Sequence, residues 1–209
     1  MKKTSTILCI ILIVMIMIGC KKEQKENTTM KVGETNSTDF YQDFDPNIIF
    51  PSNATGYKYE LDINGDSIND IEFKYVADVG NFYGYHGTYL AHINSNFYYL
   101  LGSSGIKVCN ENDLVSCNDI YDNLGGDYEP FTLSYDYYSS VPVQINDTTW
   151  EFNDTSYYSG NWHNVENKFI VYKFLDENGW YIGWIRLGFN DDGKLEIYEY
   201  GYKKVNGCS

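Results

Sequence analysis

The chain carries two hydrophobic rhythms separated by a polar stretch. Residues 7 to 18 form one unbroken apolar run, with Met1-Lys2-Lys3 at its head and Gly19-Cys20-Lys21-Lys22 directly after it. Residues 21 to 50 are polar, charged and aperiodic, a composition that predicts a disordered tether. From Gly56 onward, short runs alternate apolar and polar residues between Gly, Asn, Asp and Ser turns. That period of two is the signature of half-buried strands. Strands are expected over 56–62, 70–77, 85–93, 96–102, 105–109, 130–136, 141–146, 149–153, 168–175, 180–189 and 194–203. No segment after the first apolar run holds a helical period, and no internal repeat is visible. Many short strands at regular spacing predict an all-β domain over 51–209, a β-sandwich or jelly roll.

The C-terminal meander is the clearest part of this pattern. Phe169 to Leu175, Trp180 to Phe189 and Lys194 to Tyr200 are joined by Asp176-Glu-Asn-Gly179 and Asn190-Asp-Asp-Gly193, and each link ends in the glycine that a left-handed turn residue demands. Alternation puts Trp180, Ile182, Trp184 and Arg186 on one face of the middle strand, and Tyr181, Ile185, Leu187 and Phe189 on the other.

Composition agrees with strands and turns: Tyr 21, Phe 11, Trp 4 and Gly 18 in 209 residues. The formal charge is −14. Residues 1–19 contain two lysines and no acid, so the chain beyond them stands at about −16. Such a chain is repelled by nucleic acid, and nucleic-acid partners are excluded on that ground. Three cysteines fall in the expected domain. The short spacing of Cys109 and Cys117 makes them the expected disulfide in an oxidising compartment, with a pairing of Cys208 to one of the two as the rival.

The first twenty residues have a basic head, a short apolar core and a small residue before a cysteine. They resemble a bacterial lipoprotein signal peptide, with Met17-Ile18-Gly19-Cys20 as its lipobox. The alternative, a transmembrane helix, needs about twenty apolar residues, and this run has twelve. The resemblance implies a signal peptide over 1–19, acylation of Cys20 and a membrane partner reached through that lipid, with 20–50 as tether. Lys21 and Lys22 in place of an aspartate direct the expectation to the outer membrane or cell surface rather than the inner membrane.

One segment carries specific chemistry. In Asp62-Ile-Asn-Gly-Asp-Ser-Ile-Asn-Asp70, oxygen-bearing side chains stand at loop positions 1, 3, 5 and 9. Asp62, Asn64, Asp66 and Asp70, with the Ile68 carbonyl at position 7, form the ligand set a hard cation such as Ca²⁺ requires. Three close carboxylates also repel one another unless something neutralises them. The motif resembles the nine-residue calcium loops of secreted bacterial and integrin-like modules, with Ser67 where glycine is usual and Phe73 where an EF-hand has its twelfth ligand. The competing reading is a plain hairpin turn at Asn64-Gly65. Together with the Gly183-Trp-Ile-Arg-Leu187 strand, the loop resembles secreted bacterial proteins of unknown function, which implies fold and location only.

Arg186 is the sole arginine in the chain and is expected either to clamp an acidic ligand or to stack on a ring and pair with a glutamate across the sheet. Tyr157, Tyr158 and Trp162 lie in a Gly/Asn/Ser-rich segment expected to be a loop, and are candidate contacts for a sugar. His86, His92 and His163 form no metal set by spacing, and no G-x-S-x-G, H-E-x-x-H or phosphate loop occurs. The chain therefore reads as an envelope-anchored, calcium-stabilised module that binds or scaffolds polysaccharide or protein. A glycan-active jelly roll working through two carboxylates and a purely structural envelope protein are the alternatives.

Overall fold

A computed structural model of the protein describes residues 27–50, 56–79, 83–92, 96–102, 105–120, 131–146, 149–162, 165–190 and 194–208. The signal peptide and Cys20 lie outside these residues. The described chain is nearly all strand: β1 (Thr29–Lys31), β2 (Phe40–Ile49), β3 (Lys58–Leu61), β4 (Ile71–Val79), β5 (Tyr83–His92), β6 (Phe97–Tyr99), β7 (Leu101–Gly102), β8 (Gly105–Ile106) and β9 (Leu114–Ser116) come first. After a 3₁₀ turn at Cys117–Asp119 follow β10 (Phe131–Asn146), β11 (Thr149–Ser159), β12 (Lys168–Asp176), β13 (Gly179–Phe189) and β14 (Leu195–Lys204). Two five-stranded antiparallel sheets, ordered β11-β10-β5-β4-β3 and β2-β14-β13-β12-β6, build the expected all-β sandwich, with small pairs β1-β9 and β7-β8 beside them.

The main core lies between the two large sheets. Leu61, Ile71, Phe73, Leu90 and Leu133 of the first sheet meet Ile170, Tyr172, Ile185, Leu187 and Ile197 of the second. The alternation read along 180–189 holds, and both of its faces are covered. Ile185, Leu187 and Phe189 enter the main core, whereas Ile182 and Trp184 enter a second core on the outer face, capped by Met30, Val32, Val115 and Val205. Strand β12 divides in the same way, sending Phe169 and Val171 outward and Ile170, Tyr172 and Phe174 inward. Lys173, on the outer face and only 4% exposed, rests its ammonium over the rings of Trp180 (5.0 Å) and Tyr98 (5.7 Å). Gly183 is required by its cross-strand partner: a Cβ there would lie 2.4 Å from Cζ of Tyr172, whose ring covers the glycine.

Three expectations change. Residues 27–50, read as part of the tether, are structured: β1 caps the second core, and β2 is an edge strand paired with β14. The folded domain therefore begins well before residue 51. The polar reading failed there because β2 is exposed along most of its length and holds Pro46, which suits an edge strand. The link between β12 and β13 is also tighter than four residues, since Asp176 pairs directly with Gly179.

The disulfide is the third correction. Cys117 bonds Cys208, across 91 residues and a Cα–Cα distance of 5.8 Å, and Cys109 is a buried free thiol. Cys109 does not pair with Cys117 because its backbone is committed to Phe169, exchanging hydrogen bonds of 3.0 and 3.1 Å with it. The chain then turns away to form β9 along β1, and the 3₁₀ turn, capped by Ser116 and Asp119, delivers Cys117 to the C-terminal segment. Burial pushes the Cys109 thiol up to about 11.

Candidate functional site

The candidate cation loop is defined by the register of its flanking strands. Leu61 pairs with Ile71, and the Asp70 amide donates to the Leu61 carbonyl (2.8 Å), so Asp62 to Asp70 form a nine-residue connection rather than a two-residue hairpin turn. Within it the acids serve the backbone. Asp62 accepts from the amides of Gly65 and Ser67, both at 2.8 Å, while Asn64 Oδ1 accepts from Asp66 at 3.0 Å and Asp66 Oδ1 from Ile68 at 2.8 Å. Asp70, fully buried, accepts from Ile63 at 2.9 Å and Asn64 at 3.4 Å. Gly65 and Ser67 both take left-handed backbone (φ 77° and 71°), an unfavourable conformation for Ser67.

This arrangement accounts for the closeness of the carboxylates without an ion, because each accepts amide hydrogens. Among the described residues no three His, Cys, Asp or Glu side chains are brought together to hold a metal. The five ligand positions nevertheless lie on one loop, and an oxygen accepting one N–H keeps a further lone pair. Asp70 also faces the main core, where burial first, and its charge second, raise the Tyr99 hydroxyl well above its ordinary range.

A second polar site lies on the outer face of the second large sheet, where Gly33, Glu111, Asn167, Phe169, Arg186 and Glu199 line a cleft of about 270 Å³. Arg186 donates through Nε to Glu199 (2.7 Å) and through Nη1 to Asn167 (2.9 Å), and its guanidinium lies 5.0 Å from the centre of the Tyr198 ring. This is the stacked, cross-strand arginine. Tyr41 donates to the other Glu199 oxygen from β2, and partial burial, followed by that bond, pushes its hydroxyl up to about 12. With Glu199 engaged on both oxygens, the cleft offers mixed donors and acceptors suited to holding a polar ligand.

Sequence reasoning singled out Arg186 but missed its companions Tyr41, Glu111, Asn167 and Glu199. Continuing the Leu187 to Ile197 register by one residue would set Tyr198 opposite Arg186; a bulge there sets Glu199 opposite instead, which is why pattern alone could not find the pair. Of the three aromatic candidates, the side chain of Trp162 alone lies among the described residues. Trp162 is fully buried in the main core and donates through Nε1 to the Ile106 carbonyl at 3.3 Å, so the expectation that it faces a ligand is corrected. Tyr157 and Tyr158 sit on β11, opposite Tyr137 and Asp136, rather than in a loop; their side chains, like His163 and Cys20, lie outside the described residues.

The architecture defines an all-β protein of two packed antiparallel sheets. No family model matches the chain, and neither a curated protein nor a solved structure does so.

Proposed function

We propose that this protein is a lipid-anchored module of the bacterial envelope, attached through acylated Cys20, that binds or scaffolds polysaccharide or protein. The observation that carries the reading is the Cys117–Cys208 bridge. A disulfide of this kind persists in oxidising compartments and is rare in the cytosol, so it supports the location that the Met17-Ile18-Gly19-Cys20 sequence implies. The acidity of the chain disfavours nucleic acid, and the Arg186 cleft, lined by Glu111, Asn167, Arg186 and Glu199, is a polar recess suited to a saccharide or a peptide. The test is expression with an alkyne analogue of palmitate: the native chain is expected to be labelled and to sediment with membranes, and Cys20→Ala to lose both properties. An unlabelled native chain that stays soluble overturns the anchor.

Within this reading the Asp62 to Asp70 loop takes Ca²⁺ in a structural role. The nine-residue register and the five retained ligand positions support it. In 10 mM Ca²⁺ a site of about 10⁻⁴ M affinity adds roughly 2.7 kcal/mol, or several degrees in Tm, over the same protein in chelator. Asp66→Asn keeps an acceptor for the Ile68 amide but removes the charge, and should abolish the shift. An absent shift in the native chain assigns the loop to a self-closed turn.

A further inference from the structure

The position of Asn27, where the described chain begins, constrains how an anchored domain would stand. The Asn27 carbonyl accepts from the Asn206 amide and that of Thr28 from Cys117, so the start of the domain is pinned beside the disulfide. Between Cys20 and Asn27 lie six residues, Lys21 to Glu26, and seven residue steps span at most about 25 Å however they are arranged. A domain of this size is roughly 40 Å across, so the link is shorter than the body it holds.

Register identifies what shares that end of the sandwich. Val205 donates to Trp180, and Tyr181 pairs with Lys204, which puts the tight turn of Asp176 to Gly179 beside the pinned start. Leu175 donates to Asn96, just past the end of β5, where His92 pairs with Ile71 at the exit of the Asp62 to Asp70 loop. Asp39, Asp62 and Asp176 all act on the Tyr202 hydroxyl, consistent with this placement. The opposite end carries Glu166 and the connection from Phe189 to Leu195, and the nine residues of β12 separate the two ends by about 30 Å.

We infer that the anchored protein rests on the lipid surface with the end formed by Asn27, the Asp176–Gly179 turn and the Asp62–Asp70 loop facing the headgroups, and the Glu166 end pointing away. This rests on the acylation of Cys20 proposed above. The occupant of this end is the bilayer itself, because a link of at most about 25 Å, shorter than the domain is wide, keeps the end where the described chain begins nearest the surface. Lys21, Lys22 and Lys25 against Glu23 and Glu26 leave the link about +1, so the lipid and the short link, not charge, hold the domain down, and the acids of the facing end keep it over the surface rather than inserted.

The test places a fluorescent amino acid at Glu177 or Glu166, both exposed, in the full acylated chain on vesicles of phosphatidylethanolamine and phosphatidylglycerol with acceptor-labelled headgroups. Energy transfer is expected to be at least about twofold stronger from position 177. Inserting twenty Gly/Ser residues between Glu26 and Asn27 should erase the difference while leaving flotation with the vesicles intact. Equal transfer from both positions in protein that floats overturns the orientation and leaves the anchor standing. Native protein that does not float overturns the anchor and the orientation with it.

Discussion

The two faces of the β2-β14-β13-β12-β6 sheet are buried by opposite means. Its inner face meets a second sheet of equal strand number, and the contact is continuous, aromatic and made by residues distant in sequence. Its outer face meets a cap assembled from three-residue strands and chain ends, closed by a disulfide. The lesson is one of area: a full sheet buries enough apolar surface to hold itself, whereas a cap of β1, β9 and the C-terminal segment buries little and is held by a covalent link. The buried free thiol of Cys109 sits in the smaller of the two cores and reports on it.

The comparison can be broken from either side. Trp162→Ala empties a fully buried indole from the main core and orphans a hydrogen bond, and should cost about 3–5 kcal/mol in urea unfolding, while Cys109 stays protected from N-ethylmaleimide in the native state. Replacing both Cys117 and Cys208 by Ser should cost about 2–4 kcal/mol and do the reverse locally: Cys109, then the sole thiol among the described residues, becomes alkylated under native conditions, read by mass, because the cap opens before the sandwich does. If Cys109 stays protected, the cap holds without its bond and the contrast fails. Gly183→Ala sharpens the contrast at the sheet that both cores share. Its methyl displaces the Tyr172 ring and should cost about 1–3 kcal/mol, with recovery in the double variant carrying Tyr172→Leu.

Legibility in the sequence followed burial. Strands β12 and β13 were readable because most residues along them face one core or the other, down to the split between Trp184 and Ile185. Strand β2 was not, because it lies at an edge and commits only Phe44 and Ile48 to the main core. Phe40, Phe44 and Ile48 share its even positions, a faint alternation that Asp43, Asp45 and Pro46 obscure. The disulfide was misread because nearness in sequence favoured Cys109, whereas backbone pairing with Phe169 decides where that cysteine points its chain. The Asp62 to Asp70 segment was visible as a candidate ligand pattern and as a break between strands, and the strand register makes it a nine-residue connection. The Arg186 cleft was visible at one residue only, since Phe169, Arg186 and Glu199 come from β12, β13 and β14, and Gly33, Glu111 and Asn167 come from loops that no local pattern relates to them.

The corner where Asn27, Cys117 and Cys208 meet also has a mechanical meaning. Tension applied between residues 27 and 208 pulls first on the Asn206–Asn27 hydrogen bond and the three residue pairs of β1 and β9. Beyond those the bridge, which joins residues 91 apart in sequence, shunts the force past the loop it closes, so β10 to β14 bear no stretch while the bond is intact. Only the stretch from residue 27 to 117 can pay out, which sets the extensible contour near 320 Å, about half of what the reduced chain would give. Pulled from these two points, the domain would behave as a spring with a stop.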